Sequence, residues 1–425
     1  MARSVARVLV LGLVVLTRVA IYGAAAPDKP SSPPVEAFFD DSQVHTIKLS
    51  IHSRDWDSLR EHYLDNTYYP ADFRWQDQVV RNIGIRSRGT GSRSGVKPGL
   101  RVDFDRYTGD QKFLGTLKSF ILRNHTQDPS AMHERLSMLL FRRLGIPAVR
   151  EAHAKLYVNN SYVGLYSIVE SVDKEYLKRT LDDDEGYLFK YDYNADDAPY
   201  YLEYRGSDPD LYVPHPFKPE THESDSHPNW VAELIRVVNQ DSDTIFRTTI
   251  APLLDLEKFV RFIAVENFVG DQDGFNGNYG TNNFYFYRYA NSHVFTFIPW
   301  DKSEAFKDGP TFSIWHNIQD GAPVEQRNRL TLRAMRFQDL RSLYLDTLNE
   351  CARSALERDE NSPDDERGWL EREVEKQSNQ IREAMYADPQ KPFSNDDFET
   401  EVEKLREFAR RRSDVVKAAV ARERR

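Results

Sequence analysis

Asp271, Asp273 and Asp301, together with Asn276, Asn278, Asn282 and Asn283, form the densest group of hard oxygen ligands in the chain. Carboxylate and carboxamide oxygens suit Mg2+ or Mn2+ bound together with a phosphate substrate. All seven lie in residues 266–306, ENFVGDQDGFNGNYGTNNFYFYRYANSHVFTFIPWDKSEAF. Gly270, Gly274, Gly277 and Gly280 are interspersed among the first six, so this loop can bend sharply and present many oxygens. Two aromatic and aliphatic runs follow, at 284–289 and 294–298, with Ala290-Asn291-Ser292-His293 as a tight turn between them. That pattern predicts a hairpin. A hairpin returns the chain to where it began, so Asp301, in Pro299-Trp300-Asp301, is expected beside Asp271 and Asp273. The plain alternative is a solvated turn, because Asp and Asn are common in turns.

The elements that must position this cluster can be read around it. Before it, Leu256, Phe259, Val260, Ile263, Ala264 and Asn267 recur at the spacing of a buried helical face. Far upstream, strand-like residues 79–87 and 100–104 flank RSRGTGSRSGVKPG, which is basic in an acidic protein. Backbone N–H groups and the charges of Arg86, Arg88 and Lys97 could line an anionic pocket there; otherwise it is a mobile surface hairpin. It is not a Walker loop. A short strand at 119–123 precedes a helix at 131–144, capped by Asp128 or Ser130. Glu134, in its first turn, either pairs with a strand lysine or complements the helix dipole at the surface. Residues 152–158 and 162–169 form a hairpin around Asn159-Asn160-Ser161, and Glu170 opens the link to a helix at 174–181.

Residues 182–229 are acidic and proline-rich and read as a solvated insertion. His215, His222 and His227 within it lack the partners and spacing of a metal site. Helices are expected at 230–238, 253–268, 330–356, 369–386 and 396–425. Strands with one helix therefore come first, then helices around one hairpin. That order fits an α+β two-lobed enzyme holding a nucleotide between its lobes.

The chain has 425 residues, 40% hydrophobic and 29% charged, with a net charge of -10. The acidic balance leaves no basic footprint of a nucleic-acid binder. Cys351 is the only cysteine, which excludes an intrachain disulfide and reads as a small buried residue. Arg3 and Arg7 precede an apolar run at 8–16, and Ala24-Ala25-Ala26 offers small residues for cleavage. Residues 1–26 thus read as a secretory signal peptide, with an uncleaved anchor as the alternative because Arg18 interrupts the apolar stretch. No other segment approaches a membrane span. The expected organisation is a linker at 27–42, an N-lobe at 43–170 and a C-lobe at 171–425, in an exported protein that is periplasmic, cell-surface or extracellular.

A loop Asp, an Asn, a hairpin and a second Asp is also the order found in protein kinases, and Asp273 with Asn278 has the D-x-x-x-x-N spacing. Six ordered stretches sharpen this: GIRSRGTGSRSGVKPGLRVDFD, LRNHTQDPSAMHERL, LGIPAVREAHAKLYVNNSYVGLYSIVESVDKEYL, NFVGDQDGF, NNFYFY and FIPWD. On these the sequence resembles the CotH kinase family, an atypical protein-kinase-like group named for spore coat protein H. The resemblance implies a two-lobed protein-kinase-like fold, with an antiparallel-sheet N-lobe and a mostly helical C-lobe, that uses ATP with Mg2+ or Mn2+. It implies Asp273 as catalytic base and Asp301 as metal ligand. Asn283 would be the amide ligand, with Asn278 its rival from spacing. Arg86, Arg88 and Lys97 would face the phosphates, Glu134 would pair with the lysine, and Glu170 would sit at the hinge near the adenine. The function implied is phosphorylation of Ser or Thr on a secreted or envelope protein. Many relatives carry an aspartate where this chain has Ser303. A non-catalytic structural or adhesive surface protein, or an AMP transferase, are the alternatives on the same scaffold.

Overall fold

The computed structural model describes residues 34–192 and 197–425, so the expected signal peptide lies outside the described residues. Seven strands close into a barrel: β1 (His45–Ile51), β2 (Tyr69–Trp75), β3 (Gln78–Ser87), β4 (Leu100–Asp103), β5 (Ser119–Arg123), β6 (Glu151–Val158) and β7 (Ser161–Glu170). Their order is β1-β2-β3-β4-β5-β7-β6, and β1 closes the ring by pairing parallel with β6, His45 opposite Ala154. Every other barrel pairing is antiparallel. The expectation was an antiparallel sheet. Closure removes the exposed edges that such a sheet would leave.

Alternation along the strands builds two different faces. Ile83, Ile85, Leu100, Val102, Phe120, Leu122, Tyr166 and Ile168 point into the barrel. Phe38 stands among them, edge-on to Phe73, Trp75, Phe113 and Phe120 with ring centroids 5.1–6.3 Å apart. It comes from helix α1 (Pro34–Phe38). Residues 34–42, expected as linker, are therefore already part of the fold, and Phe38 and Phe39 are buried because they plug one core. The opposite face of β5 and β7 is buried too, for Ile121, Leu165 and Val169 belong to a second, larger core.

That second core holds most of the helices. After α2 (Ser53–Glu61) on the barrel come α3 (His133–Arg143), α4 (Lys174–Leu181), α5 (Asn229–Gln240), α6 (Asp243–Ile250), α7 (Leu256–Val269), α8 (Arg329–Ala334), α9 (Gln338–Ala355), α10 (Trp369–Tyr386) and α11 (Asn395–Glu423). Helix α3 carries Leu136, Leu140 and Phe141 into this core, where Phe141 meets Phe262 of α7. The expected hairpin forms as β10 (Phe284–Arg288) and β11 (Phe295–Pro299), with Phe284 opposite Pro299. It sits in a four-stranded sheet with β8 (Tyr187–Tyr191) and β9 (Phe217–Pro219), in the order β11-β10-β8-β9. Residues 182–229 were expected to be a solvated insertion. They instead extend the hairpin's own sheet and bury Tyr200, Tyr212 and Phe217, because their aromatic residues have a core to enter. Of the three histidines there, His215 pairs with Asp197 at 2.6 Å while His222 and His227 pack on Tyr187, so they do not converge on a metal. Among the described residues no helix is long and apolar enough to cross a membrane.

Candidate active site

Helix α7 ends at Gly270, whose φ of 67° stops it, and the loop of 271–283 follows. The loop is fastened from below by three buried charges. Lys302 is fully buried and lies 2.8 Å from Asp271 Oδ2, with Glu266 Oε1 in direct contact. The two carboxylates outweigh burial and hold the Lys302 ammonium well above its ordinary value. Glu266, pushed up to about 7 by burial against the pull of Lys302, also accepts from Phe275 N–H at 3.0 Å. A Cβ on Gly274 would come within 2.5 Å of Asp271 Oδ2 and 2.8 Å of Glu266 Oε1, so only glycine lets the loop cross this triad. Nothing in the spacing around Lys302 reveals from sequence a partner 36 residues back.

Above the triad, Asp273 is half-buried and Asp271 Oδ1 accepts its N–H at 3.1 Å. Asn282 donates to Asp273 Oδ1 and Asn283 to Asp273 Oδ2, both at 2.9 Å. Burial raises the Asp273 carboxyl to about 7; Asp271 and Asp301 add to the rise, while the Asn282 hydrogen bond and Lys302 oppose it. A carboxylate poised there can accept a hydroxyl proton near neutral pH. The hairpin performs the return expected of it. Trp300 N–H donates to the Asn283 carbonyl at 3.1 Å, and Asp301 comes within electrostatic reach of Asp273. Asn283 and Asp301 both have positive φ, 54° and 46°, which turns the chain at each end of the hairpin.

Asp301 is met from the barrel. Arg123, at the end of β5, donates Nη1 to Asp301 Oδ1 and Nη2 to Glu134 Oε1, both at 2.8 Å. Ser303 Oγ donates to the same Asp301 Oδ1 at 3.0 Å. Burial alone would raise the Asp301 carboxyl, but Arg123, Arg88 and these hydrogen bonds outweigh it and hold the group at about 2. Glu134 is displaced the other way. Burial pushes it well up against the pull of Arg123, and the buried Glu151 adds to the rise. Glu134 thus pairs with a strand cation as expected, but the cation is an arginine on β5 and not a lysine.

Three expected site residues need correction. Lys97 is buried and lies 2.6 Å from Asp388, beyond α10, so its charge is used to join the basic loop to the C-terminal region. Glu170 ends β7, just before the link to α4. Its carboxylate is held by Arg150 Nη2 and Arg179 Nη2, both at 2.6 Å, so it is committed to these arginines and not to an adenine. Asn278 Oδ1 already accepts from His316 at 2.8 Å and Asn317 at 3.1 Å, so of the two rival amides it is Asn283 that stands at Asp273, beside Asn282. Arg86 donates to Asn66 Oδ1 at 2.9 Å, and Arg88 lies over the Trp300 ring at 6.0 Å.

The donor set fits a hard divalent cation. Asp301 is ionised; among the described residues its Oδ2 makes no hydrogen bond, and Asn283 turns its amide nitrogen to Asp273, leaving Oδ1 without one. Among the described residues no three His, Cys, Asp or Glu side chains form a ready metal cage. Phosphate oxygens and water would complete the coordination, as is usual for Mg2+.

A family model described as CotH kinase protein matches residues 85–416. The inner spore coat protein H of Bacillus subtilis (strain 168) is 25% identical over 382 residues, covering 88% of this chain and 97% of that protein. Two solved structures are also similar. The Shewanella oneidensis MR-1 toxin–antitoxin complex of HipA, HipB and operator DNA contains a chain 12% identical, with a TM-score of 0.35, covering 94% of this chain and 76% of that one. The Helicobacter pylori proinflammatory kinase CtkA is 9% identical, with a TM-score of 0.27, covering 74% of this chain and 94% of that one.

Proposed function

The chain belongs to the CotH kinase family, and we propose that it transfers the γ-phosphate of ATP to Ser or Thr of a secreted or surface-coat protein. The observation that carries this reading is one connected constellation: Asp273 near neutral pKa, Asp301 held ionised, and Arg123 of the barrel joining Asp301 to Glu134 of α3. Asp273 orients the acceptor hydroxyl and takes its proton. Asn282 and Asn283 fix both of its oxygens. Asp301 and Asn283 would hold Mg2+ or Mn2+, which when bound would neutralise charge developing on the phosphates. Arg123, already oriented by Glu134, supplies a further positive charge beside that metal position. Ser303, which stands where many relatives have aspartate, bonds to Asp301 and so serves it in place of adding a second carboxylate. The relative's printed name, a spore coat protein, supports a coat or surface location.

The test is intact-mass analysis after incubation with ATP, Mg2+ or Mn2+ and casein, with Asp301→Ala beside the wild type. Phosphate added by the wild type alone is the expected result. Addition of AMP would replace the reading with nucleotidyl transfer. No addition, with no ATP-dependent thermal shift, would leave a non-catalytic scaffold.

A further inference from the structure

The outer face of the β8–β11 sheet carries charge toward the barrel. Tyr285 on β10 lies opposite Lys190 on β8, and Lys190 lies opposite Lys218 on β9. Residues paired across antiparallel strands share a face, with Cβ atoms about 5 Å apart. Trp300 stands edge-on to Tyr285, ring centroids 5.4 Å apart, and the Arg88 guanidinium lies over the same Trp300 ring. Arg88, Lys190 and Tyr285 therefore gather where the barrel meets the catalytic hairpin. Lys218 is engaged by Glu220 at 2.9 Å. Among the described residues, the Arg88 and Lys190 side chains make no ion pair, and neither they nor the Tyr285 hydroxyl make a hydrogen bond.

Two half-buried cations side by side, with no carboxylate in contact among the described residues, are costly. Burial and the Arg88 charge lower the Lys190 ammonium, and Asp192 and Glu220 oppose this from a distance. Burial and Arg123 likewise lower Arg88, to about 10, against the pull of Asp301. Two cationic donors and a hydroxyl in one neighbourhood, free of internal hydrogen bonds among the described residues, match the oxygens of a phosphate group. Arg88 also acts electrostatically on Asp301, so this place adjoins the metal position.

We propose that Arg88, Lys190 and Tyr285 form a phosphate-group site, and that its ligand is the phosphate chain of the nucleotide. The assignment of the nucleotide rests on the kinase reading; the phosphate site does not. Lys190 belongs to the segment that the sequence presents as an insertion, so β8 and β9 serve binding as well as packing.

The experiment measures binding by the full chain of Mg·ATP, inorganic pyrophosphate and adenosine, using calorimetry and ligand-dependent melting temperature. Lys190→Met is expected to weaken Mg·ATP and pyrophosphate by about tenfold or more, the loss of one charge-assisted contact. Adenosine binding is unchanged, Lys190→Arg retains most of the affinity, and Tyr285→Phe shows a smaller loss. An unchanged melting temperature of ligand-free Lys190→Met shows that the fold is intact. Equal binding of pyrophosphate by wild type and Lys190→Met would overturn the proposal. Pyrophosphate binding that depends on Lys190, with no binding of Mg·ATP, would keep the phosphate site and remove the kinase reading. Absence of both ligands from the wild type would overturn both.

Discussion

Asp273 and Asp301 are two carboxylates in one small region with opposite protonation tendencies, and the difference lies in their neighbours. Asp273 has two amides and no cation in contact, so burial dominates and its carboxyl rises to about 7. Asp301 has Arg123 in contact and Arg88 nearby, so attraction dominates and it stays near 2. Environments that push two titratable groups apart separate a base from a permanent anion. As the base, Asp273 must be ionised, so kcat/KM for an acceptor should rise with pH through about 7 and level off above it. Asn282→Ala removes a hydrogen bond that favours the ionised form, so the midpoint should move upward. A rising limb at ordinary carboxylate pH in the wild type would show that Asp273 is not the titrating base. Asp273→Asn should lower the rate by about 10²-fold or more, the usual worth of a positioned base.

At the scale of elements, helix α7 and the loop after it are held by a residue far along the chain. Arg412 of α11 is completely buried and has no carboxylate partner among the described residues. It donates to the carbonyls of Phe268 at 2.8 Å, Asn267 at 2.6 Å and Pro310 at 3.0 Å, with Phe312 O also in reach. The first two are orphan carbonyls of the end of α7, where a cation complements the helix dipole as well. Burial lowers its pKa only to about 10, so it remains charged at neutral pH. Arg412→Met strands these carbonyls and should destabilise the protein by about 2 kcal/mol or more. Urea unfolding checks this; an unchanged midpoint would show that water replaces the guanidinium without cost. The charges of 396–425 were read as a solvated face. Most are, but Arg412 was indistinguishable in sequence from Arg410 and Arg411, which pair with Glu371 and Glu407 at the surface.

At the scale of the whole molecule, two hydrophobic cores share the wall formed by β5 and β7, and the site lies where they meet. Among the contacts between distant parts of the chain, two ion pairs anchored in the barrel serve different ends. Arg123–Asp301 belongs to the site, whereas Lys97–Asp388 binds the barrel's basic loop to the end of α10. Asp388 also accepts from Leu165 N–H at 2.9 Å, so it fastens β7 as well. Lys97→Met leaves Asp388 buried without its cation, which should cost about 3–5 kcal/mol. Nucleotide affinity of the folded fraction should be unchanged. A loss of affinity without a loss of stability would return Lys97 to the phosphates.

The sequence by itself determined most of the barrel strands, most helices, the hairpin and the return of Asp301 toward Asp273. These follow from local periodicity, turn chemistry and the short closure of one hairpin. Only the tertiary structure decided which charge meets which. Arg123, not Lys97, reaches Glu134 because β5 ends beside α3, while the basic loop is drawn to Asp388, 291 residues away. Asn283 and not Asn278 meets Asp273 because His316 and Asn317, from a later loop, occupy Asn278. The 182–229 segment looked like an insertion because its prolines and acids hide short strands. Its role appeared only when β8 found the open edge of β10. Long-range pairing of charges and sheet edges depends on chain closure across the whole fold, and local pattern carries no record of it.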